Sequence, residues 1–463
     1  MEERKLTCDV MYFLGIGGIG MSALARYFHR KGIHVMGYDR TSTALTTELE
    51  LEGISVQYED SVMSLPQLLH STPKEKVLIV RTPAVPKDSS QLQYFLQHEF
   101  RIWKRSELLG YITELDETIA IGGTHGKTTT STLVAHILHS TIGCNAFLGG
   151  ISSNFNSNVL LSDTSRTVVE ADEFDRSFLT LFPKISALTS MDPDHLDIYG
   201  NEESIREGFL LFLKQTHADG SIVVKKELNI HEDLKSARSG VFTYSILSEA
   251  DYVATNIRIE DGAYVFDFNS PFGQLSHVRL GLPGRHNVEN AVVAMACSLL
   301  AGVSISDLPH VLESFKGVAR RFDVRYKGES GVYIDDYAHH PTELTACIRS
   351  VRELFPGKKI VGVFQPHLFS RTRDFVDGFA ESLALLDVPV LLPIYPAREL
   401  PIEGIDSQWL FDKIQKDEKY LVEKDAIFTL LNKLEFDVLL TLGAGDIDTL
   451  VSPLEVFMRG RVK

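Results

Sequence analysis

"AIGGTHGKTTT", residues 120–130, decides how this chain is read. An apolar run, "TIAIGG", enters it and a helix-forming run, "KTTTSTLVAHILHS", leaves it. A strand, a glycine turn and a helix N-terminus together form a cradle of backbone N–H groups suited to phosphate. Lys127 then reaches the β/γ oxygens of a triphosphate, and the Thr128 hydroxyl suits Mg²⁺. Gly123, Thr124, Gly126 and Thr129 complete the wrap. A strict phosphate loop carries glycine at position 121, where this chain has Ile121; Gly122 and Gly123 follow one and two places later. The competing reading is a glycine turn with a surface lysine.

Outward from this loop, apolar β-rich runs alternate with helical patterns, the mark of parallel α/β architecture. "VMYFLG", "HVMGYD" and "KVLIVRT" read as strands before the loop. "TVVEAD" and "ISALTSM" follow it, then a helix around residues 202–214. Shorter alternating segments from about 245 to 280 read as a small antiparallel patch, and "NVENAVVAMACSLLAG" as a long helix. "GVYIDDY", "KIVGVFQ", "VPVLLPIY" and "FDVLLTLG" are strands of a last unit. Three α/β domains result: a Rossmann-like one at 1–113, a central P-loop-type mononucleotide-binding one at 114–318, and a C-terminal Rossmann-like one at 319–463.

The chain has a second glycine turn. "GIGGIG" follows a strand and opens a helix, with Gly15, Gly17, Gly18 and Gly20 in place to let a pyrophosphate approach the backbone. Asp39 ends the next strand, where it hydrogen-bonds a ribose or uracil or simply closes the strand. Two acidic segments also end strands. "VVEADEFD" presents Glu170, Asp172, Glu173 and Asp175, and "MDPDHLDIYG" presents Asp192, Asp194, His195 and Asp197. Oxygen ligands of this kind suit a hard cation such as Mg²⁺.

Composition narrows the field. The net charge of −16 disfavours a nucleic-acid or anionic-membrane surface, which rewards Lys and Arg. None of the four cysteines pairs as CxxC, and unpaired thiols fit a reducing cytoplasm. No run is long and apolar enough for membrane insertion.

"GTHGKTTT", "EADEFD", "DPDHLDIY", "GRHNVENA", "ARRFDV" and "DDYAHHPTE", in this order, resemble the Mur ligases, ATP-dependent amide-forming enzymes of peptidoglycan synthesis. "GIGGIGMSALA" and "FQPHLFSRTRD" narrow the resemblance to the branch that joins L-alanine to the lactyl carboxylate of UDP-N-acetylmuramic acid. The resemblance implies ATP and two Mg²⁺ ions, an acyl-phosphate intermediate, and a monomer or homodimer. It places the UDP diphosphate on Gly15 to Gly20 and ATP on Lys127 and Thr128. Glu170 and His195 become metal ligands beside Thr128, and His125 is assigned to the substrate. His286, Asn287 and Asn290 fall near the nucleotide, though Asn287 also suits a helix N-cap. Arg321 is implied to reach an ATP phosphate and Asp336 to lie near the ribose. Tyr337, His339, His340 and Arg371 are the candidates for the amino-acid pocket, with His339, His340 or Asp336 as proton acceptor; His340 joins Lys127, Glu170, His195 and Arg321 as a catalytic candidate.

The chain departs from the family pattern at two points. Leu368 stands where many members have arginine, which leaves the alanine carboxylate to Arg371 or Arg373. Position 210 is leucine, so a carbamylated lysine is not assigned. Three alternatives stay open: a murein peptide ligase acting on the same UDP sugar, an NAD-dependent oxidoreductase read from "GIGGIG" alone, and a nucleotide-binding regulatory module without turnover.

Overall fold

The computed structural model describes residues 7–192, 199, 201–235, 237, 239–397 and 399–461. By packing, the chain divides into two compact units, Met1–Tyr252 with Val293–Asp307, and Val253–Val292 with Leu308–Lys463. The three α/β domains appear as three sheets.

The first unit holds two of these. β1 (Val10–Leu14), β2 (His34–Tyr38), β3 (Ser55–Gln57), β4 (Val77–Arg81) and β5 (Arg101–Lys104) form a wholly parallel sheet in the order β3-β2-β1-β4-β5. β1 is buried along its whole length, as a parallel strand covered on both faces must be. The order reverses at β1, and "GIGG" leaves its carboxyl end there, where doubly wound sheets place ligands.

The second sheet comprises β6 (Glu117–Gly122), β7 (Asn145–Ser152), β8 (Ser157–Leu160), β9 (Arg166–Glu170), β10 (Ile185–Leu188), β11 (Ser221–Lys225) and β12 (Gly240–Ser245), in the order β12-β11-β10-β6-β9-β7-β8. Only β7 and β8 pair antiparallel among these. Its register builds the site. Ile121 lies opposite Glu170 on one side, and Gly122 lies opposite Leu188 on the other. The phosphate-type loop, the acidic "EADE" segment and the segment after Leu188 therefore emerge side by side. Ile121, Val168, Val169 and Leu188 are fully buried; each contributes roughly 1.5–3 kcal/mol on burial, which fixes this register.

In the second unit, β13 (Tyr252–Glu260), β14 (Ala263–Ser270) and β15 (Gly273–Leu280) are the expected antiparallel patch. The third sheet runs β16-β17-β21-β18-β19-β20 and uses β16 (Asp323–Gly328), β17 (Gly331–Asp336), β18 (Ile360–Phe364), β19 (Val388–Leu391), β20 (Tyr420–Leu421) and β21 (Val438–Leu442). Only β16 is antiparallel to its neighbour. Apolar clusters cover both faces. β19 stops at Leu391, short of the run to Tyr395. All four cysteines are buried and free. Among the described residues no helix is long and apolar enough to cross a membrane.

Candidate active site

Gly126 precedes the helix Lys127–Thr141 with φ +82°, and Gly123 has φ +133°. Both values lie where a Cβ is strained, so the loop needs glycine there. The loop is tied down by the neighbouring segment: His125 N–H donates to Ser190 Oγ at 2.7 Å, and Thr124 Oγ1 donates to the Asp192 carbonyl at 2.8 Å. His125 Nε2 lies 3.4 Å from Asp192 Oδ2. Thr128 and Thr129 are buried at the start of the helix. Lys127 Nζ donates to the carbonyls of Gly123 (2.6 Å) and Thr124 (3.2 Å) and to Glu173 Oε1 (2.8 Å). Burial pulls its pKa down, but the Glu173, Glu170 and Asp172 carboxylates more than offset this, so the ammonium is held above its usual value.

The Thr128 hydroxyl donates to Glu170 Oε1 at 3.0 Å, and Gly149 N–H donates to Oε2 at 3.1 Å. Adjacent vertices of an Mg²⁺ octahedron are about 2.9–3.0 Å apart for the ion's usual ~2.0–2.1 Å bonds. The two oxygens fit neighbouring positions, and the hydroxyl can keep its donor bond while a lone pair turns to a cation. Among the described residues no group of three His, Cys, Asp or Glu forms a metal cluster. Asp194, His195 and Asp197 lie outside the described residues, as does the side chain of Asp175.

At the first glycine turn, Gly18 occupies the N-cap of the helix Ile19–Arg30. Asp39 Oδ2 accepts Gly17 N–H at 2.8 Å, and Oδ1 accepts Thr41 N–H at 3.2 Å. Asp39 thus ties the turn to the end of β2. Arg105 lies directly over Gly20, with Nη1 only 2.5 Å from where a Cβ would stand, and pairs with Asp172 at 3.6 Å.

The candidates of the second unit fall into two groups. His286 Nδ1 lies 3.2 Å from Ser350 Oγ. The N-cap reading of Asn287 fails: the helix already starts at Arg285, and Asn287 Nδ2 donates back to the Pro283 carbonyl at 2.6 Å. Asn290 Nδ2 in turn donates to Asn287 Oδ1 at 3.1 Å.

The other group gathers around Tyr337. Arg320 and Arg321 lie 5.2 and 4.8 Å from its ring, and Arg321 Nη1 is 3.8 Å from Glu343 Oε1. Asp336 accepts the N–H groups of Phe322 and Ala338, both at 2.7 Å; burial pushes its carboxyl up to about 6. His339 Nδ1 is 3.0 Å from the Tyr337 carbonyl, and burial holds the imidazole down at about 4. Donation to that carbonyl leaves the lone pair on Nε2. His340 differs: it is the N-cap of the helix Pro341–Leu354, and its Nδ1 accepts Thr342 N–H at 3.3 Å. That bond puts the proton on Nε2, which leaves His340 without a lone pair to serve as base. Arg371 is buried with Nη1 3.5 Å from His367 Nδ1, whereas Arg373 is half exposed and turned to Asp374. Leu368, the N-cap of the helix Phe369–Leu383 that carries Arg371 and Arg373, adopts φ +69°, a strained conformation.

Arg105, Arg320, Glu343 and His367 were not singled out from the sequence, and Glu173 had no role of its own there. Glu343 lies in the first turn of the helix Pro341–Leu354 and accepts His339 N–H at 3.0 Å. Arg105 carries no local signal, being 85 positions from Gly20.

Comparison with known proteins bears on this geometry. Family models described as "Mur ligase family, catalytic domain", "Mur ligase middle domain" and "Mur ligase, glutamate ligase domain" match residues 10–116, 121–298 and 320–445. The chain is 51% identical over 453 residues to the UDP-N-acetylmuramate–L-alanine ligase of Porphyromonas gingivalis strain W83, covering 97% of this chain and 99% of that one. It is 47% identical to the ligase of the same name from Parabacteroides distasonis, with both chains fully covered. Among solved structures, the UDP-N-acetylmuramate–alanine ligase of Thermotoga maritima superposes with a TM-score of 0.78 at 27% identity, covering 97% of this chain and 99% of that one. A murein peptide ligase from Psychrobacter arcticus shares the fold, with a TM-score of 0.69 at 23% identity over 98% and 99% of the two chains.

Proposed function

Because the chain belongs to the Mur ligase family, we propose that it joins L-alanine to the lactyl carboxylate of UDP-N-acetylmuramic acid, with cleavage of ATP to ADP and phosphate, in peptidoglycan precursor synthesis. One observation in the site carries the reading: Thr128, in the first turn of the helix that begins at Lys127, donates to Glu170 at the end of β9, the strand beside the one that feeds the glycine loop.

The chemistry follows from the weakness of a carboxylate as an electrophile. Transfer of the γ-phosphoryl group to the lactyl carboxylate gives an acyl phosphate and ADP. The alanine amine attacks the acyl carbon and gives up a proton to a base; the tetrahedral species collapses by breaking the acyl C–O bond, and phosphate leaves with that bonding pair and the former carboxylate oxygen. Gly123 to Thr129 wrap the triphosphate, and Lys127 steadies the charge that develops on the transferred group. Gly15 to Gly20 bind the UDP diphosphate. Thr128 and Glu170 would hold one Mg²⁺ and His195 a second, and such cations would supply charge that offsets the repulsion between ATP and the substrate carboxylate. His125 contacts the substrate; Arg321, His286, Asn287, Asn290 and Asp336 serve the nucleotide. In the second unit Arg371 grips the alanine carboxylate through its planar fork, beside Tyr337 and His339. His339 is the proton acceptor, because its Nδ1–H faces the Tyr337 carbonyl and leaves the Nε2 lone pair available, whereas His340 uses its Nδ1 lone pair on Thr342 N–H.

The domains 1–113, 114–318 and 319–463 divide the work as sugar, nucleotide and amino-acid modules. A cytoplasmic setting suits the four free thiols. The test is ADP release with UDP-N-acetylmuramic acid across a panel of amino acids and tripeptide. L-Alanine should give the highest rate and tripeptide none. A tripeptide preference, or nicotinamide reduction without ATP, overturns the reading.

A further inference from the structure

The Lys127 ammonium has three protons, and three acceptors of the protein take them: the carbonyls of Gly123 and Thr124, and the carboxylate of Glu173. Both Glu173 oxygens lie 2.8 Å from Nζ. A phosphate oxygen that bonds Lys127 must therefore displace one of these partners. The two carbonyls are neutral parts of the loop that wraps the phosphate. Glu173 alone of the three carries a charge like that of the phosphate.

Its carboxylate is also built in. Glu173 is 4% exposed. The Tyr199 hydroxyl donates to its carbonyl at 2.8 Å, and Arg176 N–H donates to the same carbonyl at 3.0 Å. Arg176 takes φ +54° to do so. The backbone is fixed from two directions, and the side chain reaches the lysine. Glu170, three residues earlier, bonds a hydroxyl and an amide instead. Two acids of one segment thus divide between a cation-type site and the lysine.

We propose that Glu173 is a positioning residue that competes with nucleotide phosphates for Lys127 and thereby limits how tightly the loop holds its nucleotide. The proposal rests on the reading of residues 123–129 as the nucleotide loop. Two like charges sharing one ammonium in a buried site repel strongly. Phosphate binding requires the carboxylate to withdraw or to take a cation, and return of the carboxylate to Lys127 promotes release of the product ADP.

The test is calorimetric titration of the full chain with ADP in Mg²⁺-free buffer, which reads binding without turnover. Glu173→Gln should lower the Kd about fivefold or more. The gain should vanish in the Lys127→Met background, because the competition acts through that lysine. An unchanged or higher Kd in Glu173→Gln, or an equal gain with Met at 127, overturns the proposal. If Lys127→Met leaves the Kd of the otherwise native chain unchanged, the nucleotide is elsewhere and the underlying reading fails instead. Should Glu173→Gln not fold, Glu173→Asp keeps the charge but shortens its reach. It should lower the Kd about twofold or more, and an unchanged or higher value again overturns the proposal.

Discussion

The Asp336 carboxylate holds the N–H of Phe322 at 2.7 Å, and through it the turn that carries Arg321. Arg320 and Phe322 both have positive φ, 63° and 49°. Arg321 therefore sits between two left-handed residues, each costing on the order of 1 kcal/mol or more. The carboxylate offsets that strain and also accepts Ala338 N–H. Asp336→Ala leaves two buried donors unpaired and should cost roughly 2–4 kcal/mol. Asp336→Asn, which retains one acceptor oxygen, should fall between it and the native chain. Urea denaturation midpoints check the order; equal midpoints for Ala and native mean the turn is held by other contacts.

Lys127→Ala should reduce ADP formation by about a thousandfold or more, since no other group replaces an ammonium at the transferred phosphoryl group. Binding of UDP-N-acetylmuramic acid should persist, because the first glycine turn belongs to a different sheet. Calorimetry with the sugar nucleotide, beside a phosphate-release assay, separates the two. Loss of both together contradicts the division of labour between the loops.

Arg371 and Arg373 are two residues apart but differ in surroundings. Arg371 is buried beside His367, while Arg373 is half exposed and paired with Asp374. Arg371→Ala should raise the KM for alanine by about tenfold to a hundredfold, the loss of a bidentate carboxylate contact. Arg373→Ala should stay within about twofold, as a surface ion pair contributes little. The opposite pattern in initial-rate kinetics moves the carboxylate site to Arg373.

How much of this was legible beforehand depends on the range of the interaction. The strand–loop–helix around Lys127 was readable because its apolar period, glycines and helix lie within about 25 positions in the chain. β5 was missed because "RIWK" has two basic residues and little alternation. β7 and β8 were missed because two glycines interrupt the first of them. Asp39 and Gly17 meet across 22 positions, Lys127 and Glu173 across 46. No periodicity reports such pairs; sheet register creates them. The residues around Tyr337 were named from motif likeness, but their partners, Arg320 and Glu343, emerged only once β17 and the following helix were in place.

The two adjacent histidines separate by tautomer. His340→Asn should fold with native stability, since asparagine is a good N-cap, whereas His340→Ala should lose about 1 kcal/mol. Turnover of His340→Asn should remain within a few-fold of native. His339→Gln should lower kcat by about a hundredfold, the usual range for loss of a general base. Thermal melts and steady-state rates of the three variants check this; a collapse of kcat in His340→Asn at full stability reassigns the base.

His286 links the second unit to pH. Burial holds its imidazole down at about 4, while the Glu343 carboxylate pulls the other way and loses. An unfolded histidine titrates near ~6.5, so between the two values the unfolded chain binds one more proton than the folded one. Stability is fully present above the unfolded value and is lost as pH falls through the window, by about 1.4 kcal/mol per pH unit for this group. His339, also held at about 4, acts with the same sign, and Asp336, raised to about 6, acts with the opposite one. The difference between native chain and His286→Gln removes those shared terms. Its stability gap should shift in favour of the variant on going from pH 6.5 to 4.5, read from denaturant midpoints at each pH. Parallel curves mean that His286 titrates alike in both states, and that Ser350 and Phe322 do not exclude its charged form.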